Sequence, residues 1–194
     1  MKRIFIGLRL PQTILETLNC VQQGLRYAKL VRSENMHLTL RFLGEVNESK
    51  LDALDQILRA LDFQEFRLSL KGVGIFPMRG PARVMWVGLS PSKELTRLQA
   101  IVENKCRALD FEPESRKFYP HITVGRVVKS TEGNIATWLD SFNDLESSTF
   151  IIDQYTLFQS ILRQSGPIYH SLYDYPLNVN YQIRANIAED ENYE

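Results

Sequence analysis

One short pattern with chemical potential occurs twice in this 194-residue chain: HLTL at 37–40 and HITV at 121–124. The chain holds only three histidines, and two of them stand two positions before a threonine inside an apolar run, 84 residues apart. Side chains at i and i+2 of a strand share a face, so His37 projects with Thr39, and His121 with Thr123. Leu38, Leu40, Ile122 and Val124 then anchor the strands in the opposite, apolar layer. Two imidazoles and two hydroxyls around one space suit a phosphodiester. An imidazole titrates near pH 6.5, so near neutrality one ring can be neutral and remove a proton from the nucleophile. The other, protonated, can supply the leaving oxygen. The hydroxyls can donate to the non-bridging phosphate oxygens or fix the useful tautomer.

A single HxT on a strand is more often a partly buried, hydrogen-bonded histidine. Recurrence with its threonine at the matching point of a repeat is what favours function. Zinc is the competing use of a histidine pair, but no HExxH, Cys–His cluster or acidic motif accompanies these. The expectation is catalysis without metal or cofactor.

The elements that must position the motifs follow from the apolar pattern. Residues 3–10 read as a strand, and after Pro11 a helix over 12–28 lines up Ile14, Leu15, Leu18, Val21 and Leu25. The first motif strand spans 36–43. A helix at 49–61, capped by Asn47 or Ser49, carries Leu51, Leu54, Leu58 and Leu61, and a strand follows at 66–75. After the FPMRGP loop the second half replays the order. GLSP at 88–91 echoes GLRLP at 7–11, a helix follows, and the second motif strand spans 119–128. A helix at 131–143 and strands at 148–158 and 168–177 close the chain. This is a duplicated α+β unit, and a pseudo-two-fold packing places His37 and His121 on opposite walls of one cleft.

Composition bounds the setting. The hydrophobic fraction of 44% and charged fraction of 24% are those of a soluble globular protein, and the formal net charge is zero. No global positive field is present to advertise a nucleic-acid binder, although a local basic cleft stays open. The last seven residues, AEDENYE, carry four acids. Cys20 and Cys106 form no pairing motif and read as small apolar residues of a reducing compartment. The N-terminal apolar run is too short and too interrupted for a leader, and no stretch reaches membrane-span length. A cytoplasmic monomer is expected, with one bilobal domain over 1–180, its lobes mixing the 1–80 and 81–180 repeats, and a mobile tail at 181–194.

HLTLRFLGEV at 37–46 and HITVGR at 121–126 resemble the 2H phosphoesterase superfamily, whose mark is a doubled His-x-Thr/Ser-x motif in a duplicated bilobal fold. FIGLRLP, GVGIFPMRGPARVMWVGL at 72–89 and FYPHITVGRV at 118–127 point within it to the RNA 2′,3′-cyclic phosphodiesterases, historically called 2′-5′ RNA ligases. The resemblance covers about residues 2–177. It implies two pseudo-two-fold-related antiparallel sheets lining a central cleft, with helices outside. It implies metal-independent opening of an RNA terminal 2′,3′-cyclic phosphate to a 2′-phosphate, with 2′-5′ ligation as the reverse chemistry. The implied partners are such RNA ends, tRNA halves among them, and nucleotides. By this resemblance His37 is the general acid and His121 the general base, although a near-symmetric site can exchange the roles.

Around them, Arg126 is expected to continue the face of His121 and Thr123 as a phosphate clamp, with Arg41 in the mirror role. Solvated edge arginines are the plain alternative. Phe42 reads as core with base stacking open to it, Trp86 as core, Phe76 as a stacking residue, and His170 as structural. A 2H enzyme of small cyclic phosphates and a non-catalytic RNA-binding module stay open beside the leading reading.

Overall fold

The computed structural model describes residues 1–25, 28–128, 132–164, 166–180 and 182–183. Strand β1 (Lys2–Leu8) runs to Pro11, and α1 (Gln12–Gln22) follows with Ile14, Leu18 and Val21 buried on its inner face. This helix ends earlier than the apolar period predicts, at Gln22, with Gln23 as its C-cap, its N–H bonded to the Cys20 carbonyl, and a turn through Gly24. A short strand, β2 (Ala28–Leu30), is not predicted from sequence; only its first residue lies within the predicted helix. Then come β3 (Leu38–Val46) and α2 (Glu48–Arg59). The Asn47 side chain caps α2, accepting a 2.8 Å hydrogen bond from the Lys50 N–H.

The predicted strand at 66–75 is broken at Ser69 into β4 (Phe66–Leu68) and β5 (Leu70–Phe76). The second half gives β6 (Val84–Leu89), α3 (Lys93–Arg107) capped by Ser92, β7 (His121–Val127) and α4 (Glu132–Phe142). Its next strand breaks at the equivalent place, Asp153, into β8 (Phe150–Ile152) and β9 (Gln154–Arg163), and β10 (Gly166–Pro176) completes a hairpin. The two short pieces, β4 and β8, pair with each other apart from the main sheet. The acidic tail from 184 onward lies outside the described residues.

The main strand order is β10-β9-β1-β3-β7-β6-β5, with β2 also on β7. Exchanging β1 with β6, β3 with β7 and β9 with β5 maps the seven-strand path onto itself, apart from β10. Each half therefore lends its last long strand to the other: β5 lies beside β6, and β9 beside β1. Two antiparallel sheets result, and they meet at one residue pair, Leu38 opposite Ile122. The helices cross over in the same way, α1 packing on β7 and α3 on β3, with α2 against β10 and α4 against β5. Leu38, Leu40, Ile122 and Val124 are buried beneath them. Trp138 of α4 is also buried and donates its Nε1–H to the Val21 carbonyl of α1 at 3.0 Å.

Pairing corrects one detail of the repeat. Gly7 stands opposite Thr39 and Trp86 opposite Thr123, so Trp86, not Gly88, is the structural counterpart of Gly7. The GLRLP and GLSP echo is two residues out of register. Among the described residues no helix is long and apolar enough to cross a membrane.

Candidate active site

Leu38 and Ile122 form the seam between the sheets, so the residues on either side of each share its cleft face. Continuing that antiparallel register sets His37 against Thr123 and His121 against Thr39. The two histidines are then diagonal neighbours, about 7–8 Å apart along the backbone. That spacing leaves room for one phosphate between two inward-turned rings.

The same tether holds both rings. His37 Nδ1 lies 2.7 Å from the Asn35 carbonyl oxygen, and His121 Nδ1 lies 2.7 Å from the Tyr119 carbonyl oxygen. A carbonyl only accepts, so Nδ1 carries the proton and Nε2 of each neutral ring is left as the basic nitrogen. Thr39 Oγ1 is 3.0 Å from His37 Nε2 and donates to it in that tautomer. Burial lowers the His37 pKa to about 4, and the nearby His121 charge pushes it the same way. Burial also lowers His121. Both shifts favour the neutral ring in the free protein, so the site by itself does not favour the protonated partner that a two-histidine reaction needs. An anion between them is what would restore a proton.

Each motif strand bulges one residue past its threonine. Thr39 pairs with Gly7 and Arg41 with Ile6, which leaves Leu40 extra. Thr123 pairs with Trp86 and Gly125 with Met85, which leaves Val124 extra. The displaced Val124 carbonyl is satisfied by the Val31 N–H at 3.0 Å and by the buried Gln22 amide at 2.6 Å. A bulge resets the alternation of faces.

Its consequences differ for the two arginines expected in the site. Arg41 is turned under β3 and is only 7% exposed. Its Nε lies 2.7 Å from Glu103 Oε2 of α3, and Nη1 reaches the Phe42 carbonyl at 2.8 Å and Glu114 at 3.4 Å. Nη2 donates to the Glu112 carbonyl. Strict alternation put Arg41 beside His37; the bulge puts it in a buried ion-pair cluster, so the mirror clamp is a misplacement. Phe42 takes the cleft position instead and is 56% exposed, which overturns its reading as core. Arg126, the counterpart of Phe42, is exposed on the cleft side. Its charge reaches Tyr169 of β10, where Arg126 and Arg3 counter the rise that burial imposes on the phenol.

Aromatic rings fix both imidazoles. Phe5, Tyr169 and Phe158 lie with centroids 4.7, 5.1 and 5.9 Å from His37. Phe76 meets His121 edge-on at 4.9 Å, and Trp86 lies 6.3 Å away. Trp86 is buried as expected, its ring lying flat over Gly74, where a Cβ would come within 2.2 Å of it. Gly7 is bare for a related reason: a Cβ there would meet the Leu38 carbonyl oxygen at 2.8 Å and the His37 ring at 3.4 Å. Phe5, Phe158 and Tyr169 were not singled out from sequence. The only available signal for Phe5 was its two-residue spacing from Gly7, masked by the continuous apolar run of β1. His170 is exposed on β10.

Comparison with known proteins agrees with this architecture. The family described as LigT like Phosphoesterase matches the chain twice, over residues 8–86 and 87–169. A protein of Archaeoglobus fulgidus named RNA 2′,3′-cyclic phosphodiesterase is 36% identical over 173 residues, covering 88% of this chain and 97% of that one. One of the same name from Aeropyrum pernix is 36% identical over 148 residues, 75% of this chain and 84% of the relative. Among solved structures, a protein of Thermus thermophilus superposes with a TM-score of 0.78 at 24% identity, covering 92% of this chain and 99% of its own. E. coli LigT complexed with 3′-AMP gives a TM-score of 0.76 at 24% identity, covering 91% and 98%. At that identity the superpositions speak for the fold.

Proposed function

The chain belongs to the LigT-like phosphoesterase family, and from that premise we propose that it opens RNA terminal 2′,3′-cyclic phosphates to 2′-phosphates with a two-histidine acid–base pair. The observation that carries this reading is the repeated tether. Two imidazoles, each held by an Nδ1–H bond to the carbonyl two residues upstream, present Nε2 to one space from matching points of the repeat. The names of the relatives support the substrate.

Burial keeps both free rings neutral, so the substrate itself supplies the missing condition. A cyclic phosphodiester carries one negative charge. In a low-dielectric site that charge favours an imidazolium beside it more strongly than it would in water. The family resemblance makes His37 the acid; a phosphate charge beside this buried ring raises its proton affinity, which burial alone holds low. His121 stays neutral and acts as base. Water gives its proton to His121 Nε2 as its oxygen bonds phosphorus. The P–O3′ bond breaks on the opposite side, and O3′ takes the proton from His37 Nε2. Solvent exchange then resets both rings.

Thr39 is released from His37 Nε2 once that nitrogen is protonated, and it turns its hydroxyl to a non-bridging oxygen; Thr123 does the same from the other strand. Arg126 adds charge at the cleft edge. Phe76 braces His121 and offers a ring to a base, and Phe42 does so on the His37 side. With a 5′-hydroxyl in place of water, the same proton transfers would form a 2′-5′ bond.

The test is a short RNA ending in a 2′,3′-cyclic phosphate, incubated with the protein and excess EDTA, with the terminal isomer identified. A 2′-phosphate formed at undiminished rate is the expected result. A 3′-phosphate would overturn the placement of the acid, and opening that EDTA abolishes would overturn the metal-free chemistry.

A further inference from the structure

Past His121 the protein surface sinks into a cavity of about 880 Å³, bordered by Trp86, Tyr119 and Pro120 on the cleft side. This is within the range of a site for a nucleotide-sized ligand, about 300–1,000 Å³. Its far wall is the start of α3, with Ser92, Lys93, Thr96 and Arg97, and Lys71 of β5 stands on the other side. None of the fifteen lining residues is an Asp or Glu. The contrast within the same molecule is sharp: the cavity of about 580 Å³ around Arg41 is lined by Glu45, Asp110, Glu112 and Glu114. Tyr119 is 44% exposed and its ring lies 5.2 Å from that of Trp86, so two aromatic rings stand where the cavity meets the cleft. Trp86 is 7% exposed, and its buried Nε1 has no hydrogen-bond partner among the described residues.

We propose that this cavity holds the acceptor nucleotide of a 2′-5′ ligation, an RNA 5′ end whose 5′-hydroxyl replaces water. The inference rests on the function proposed above. In an in-line displacement the nucleophile enters opposite the leaving group. With O3′ leaving toward His37, the entering oxygen arrives on the His121 side, which is the side the cavity occupies. The O5′ proton passes to His121, the O5′–P bond forms, the P–O3′ bond breaks, and O3′ takes the His37 proton. The product is a 2′-5′ phosphodiester, with no other reactant consumed. The acceptor base lies against Tyr119 and Trp86, and Lys93, Arg97 and Lys71 hold its 3′ phosphodiester.

The experiment mixes the protein with an RNA ending in a 2′,3′-cyclic phosphate and a 5′-hydroxyl oligoribonucleotide, and measures hydrolysed and ligated products together. Wild-type protein is expected to yield both. In the Lys93→Glu/Arg97→Glu variant, and separately in Lys71→Glu, the ligated-to-hydrolysed ratio should fall at least about tenfold as phosphate contacts are lost. Hydrolysis, which also reports that the variants fold, should stay within about twofold of wild type. Hydrolysis with no ligated product from the wild-type protein overturns the acceptor site alone. A parallel loss of both products in the variants also overturns it, since the cavity would then hold the donor strand. Absence of hydrolysis from the wild-type protein instead removes the underlying function.

Discussion

His121→Ala is expected to slow cyclic-phosphate opening by about 10³-fold or more while leaving the fold intact. A positioned general acid or base contributes about 10²–10⁴-fold, and this ring has no other structural duty that alanine would expose. It is braced edge-on by Phe76 but sits at the cleft, and the strand beneath is held by the buried Ile122 and Val124. His37 is packed among Phe5, Phe158 and Tyr169, so alanine there would leave a cavity as well as remove the acid. His37→Gln keeps most of the volume and is the cleaner variant. The two losses should not add, because one proton transfer without its counterpart achieves little. Rates measured on single and double variants, beside thermal melts, check this. A His121 variant with near-normal turnover would remove the acid–base pair.

Arg41→Ala should do the opposite: cost stability and spare the chemistry. The guanidinium is 7% exposed and Glu103 is 17% exposed, so removing the cation leaves a largely buried carboxylate beside the apolar α3–β3 contact. Breaking such a pair typically costs about 3–5 kcal/mol. Glu114 and the Glu112 carbonyl lose a partner too, loosening the loop that leads toward the second motif. Replacing both partners, as in Arg41→Met/Glu103→Leu, should recover much of the loss, since no lone charge is then buried. Denaturant unfolding with turnover measured at a temperature where the variant stays folded tests both halves. A stable Arg41→Ala protein with a hundredfold lower rate would restore the arginine to the phosphate.

Arg41 also marks where the sequence stops being informative. Alternation along HLTLRFLGEV puts residues 37, 39 and 41 on one face, and nothing in those letters signals the bulge at Leu40. Bulges depend on the twist and pairing of two strands, which are tertiary facts. Arg126 was expected on the face of His121 and Thr123, but strict alternation puts position 126 on the opposite face, and only the same bulge on β7 returns it to the cleft side. Helix faces were easier to read: Leu51, Leu54 and Leu58 repeat at helical spacing and are buried on one side of α2. The breaks at Ser69 and Asp153 were not legible, because the pieces on either side read as one continuous strand pattern. The His-x-Thr pair was legible because it repeats. The aromatic rings that brace it come from five other strands, β1, β5, β6, β9 and β10, whose order only the sheet topology supplies.

Everything in the proposed chemistry depends on two Nδ1-tethered imidazoles that stand neutral and face a common space until a phosphate anion joins them. ¹⁵N NMR of the histidine rings tests this directly, in the free protein and with adenosine 2′-monophosphate, which carries the expected product group. The free protein at pH 7 should show His37 and His121 both neutral, with Nδ1 protonated and Nε2 bare, and both titrating below the ordinary imidazole value of 6.5. Adding the nucleotide should raise both midpoints, that of His37 most. A proton on Nε2 of either free ring, or rings whose titration ignores the nucleotide, would contradict this mechanism.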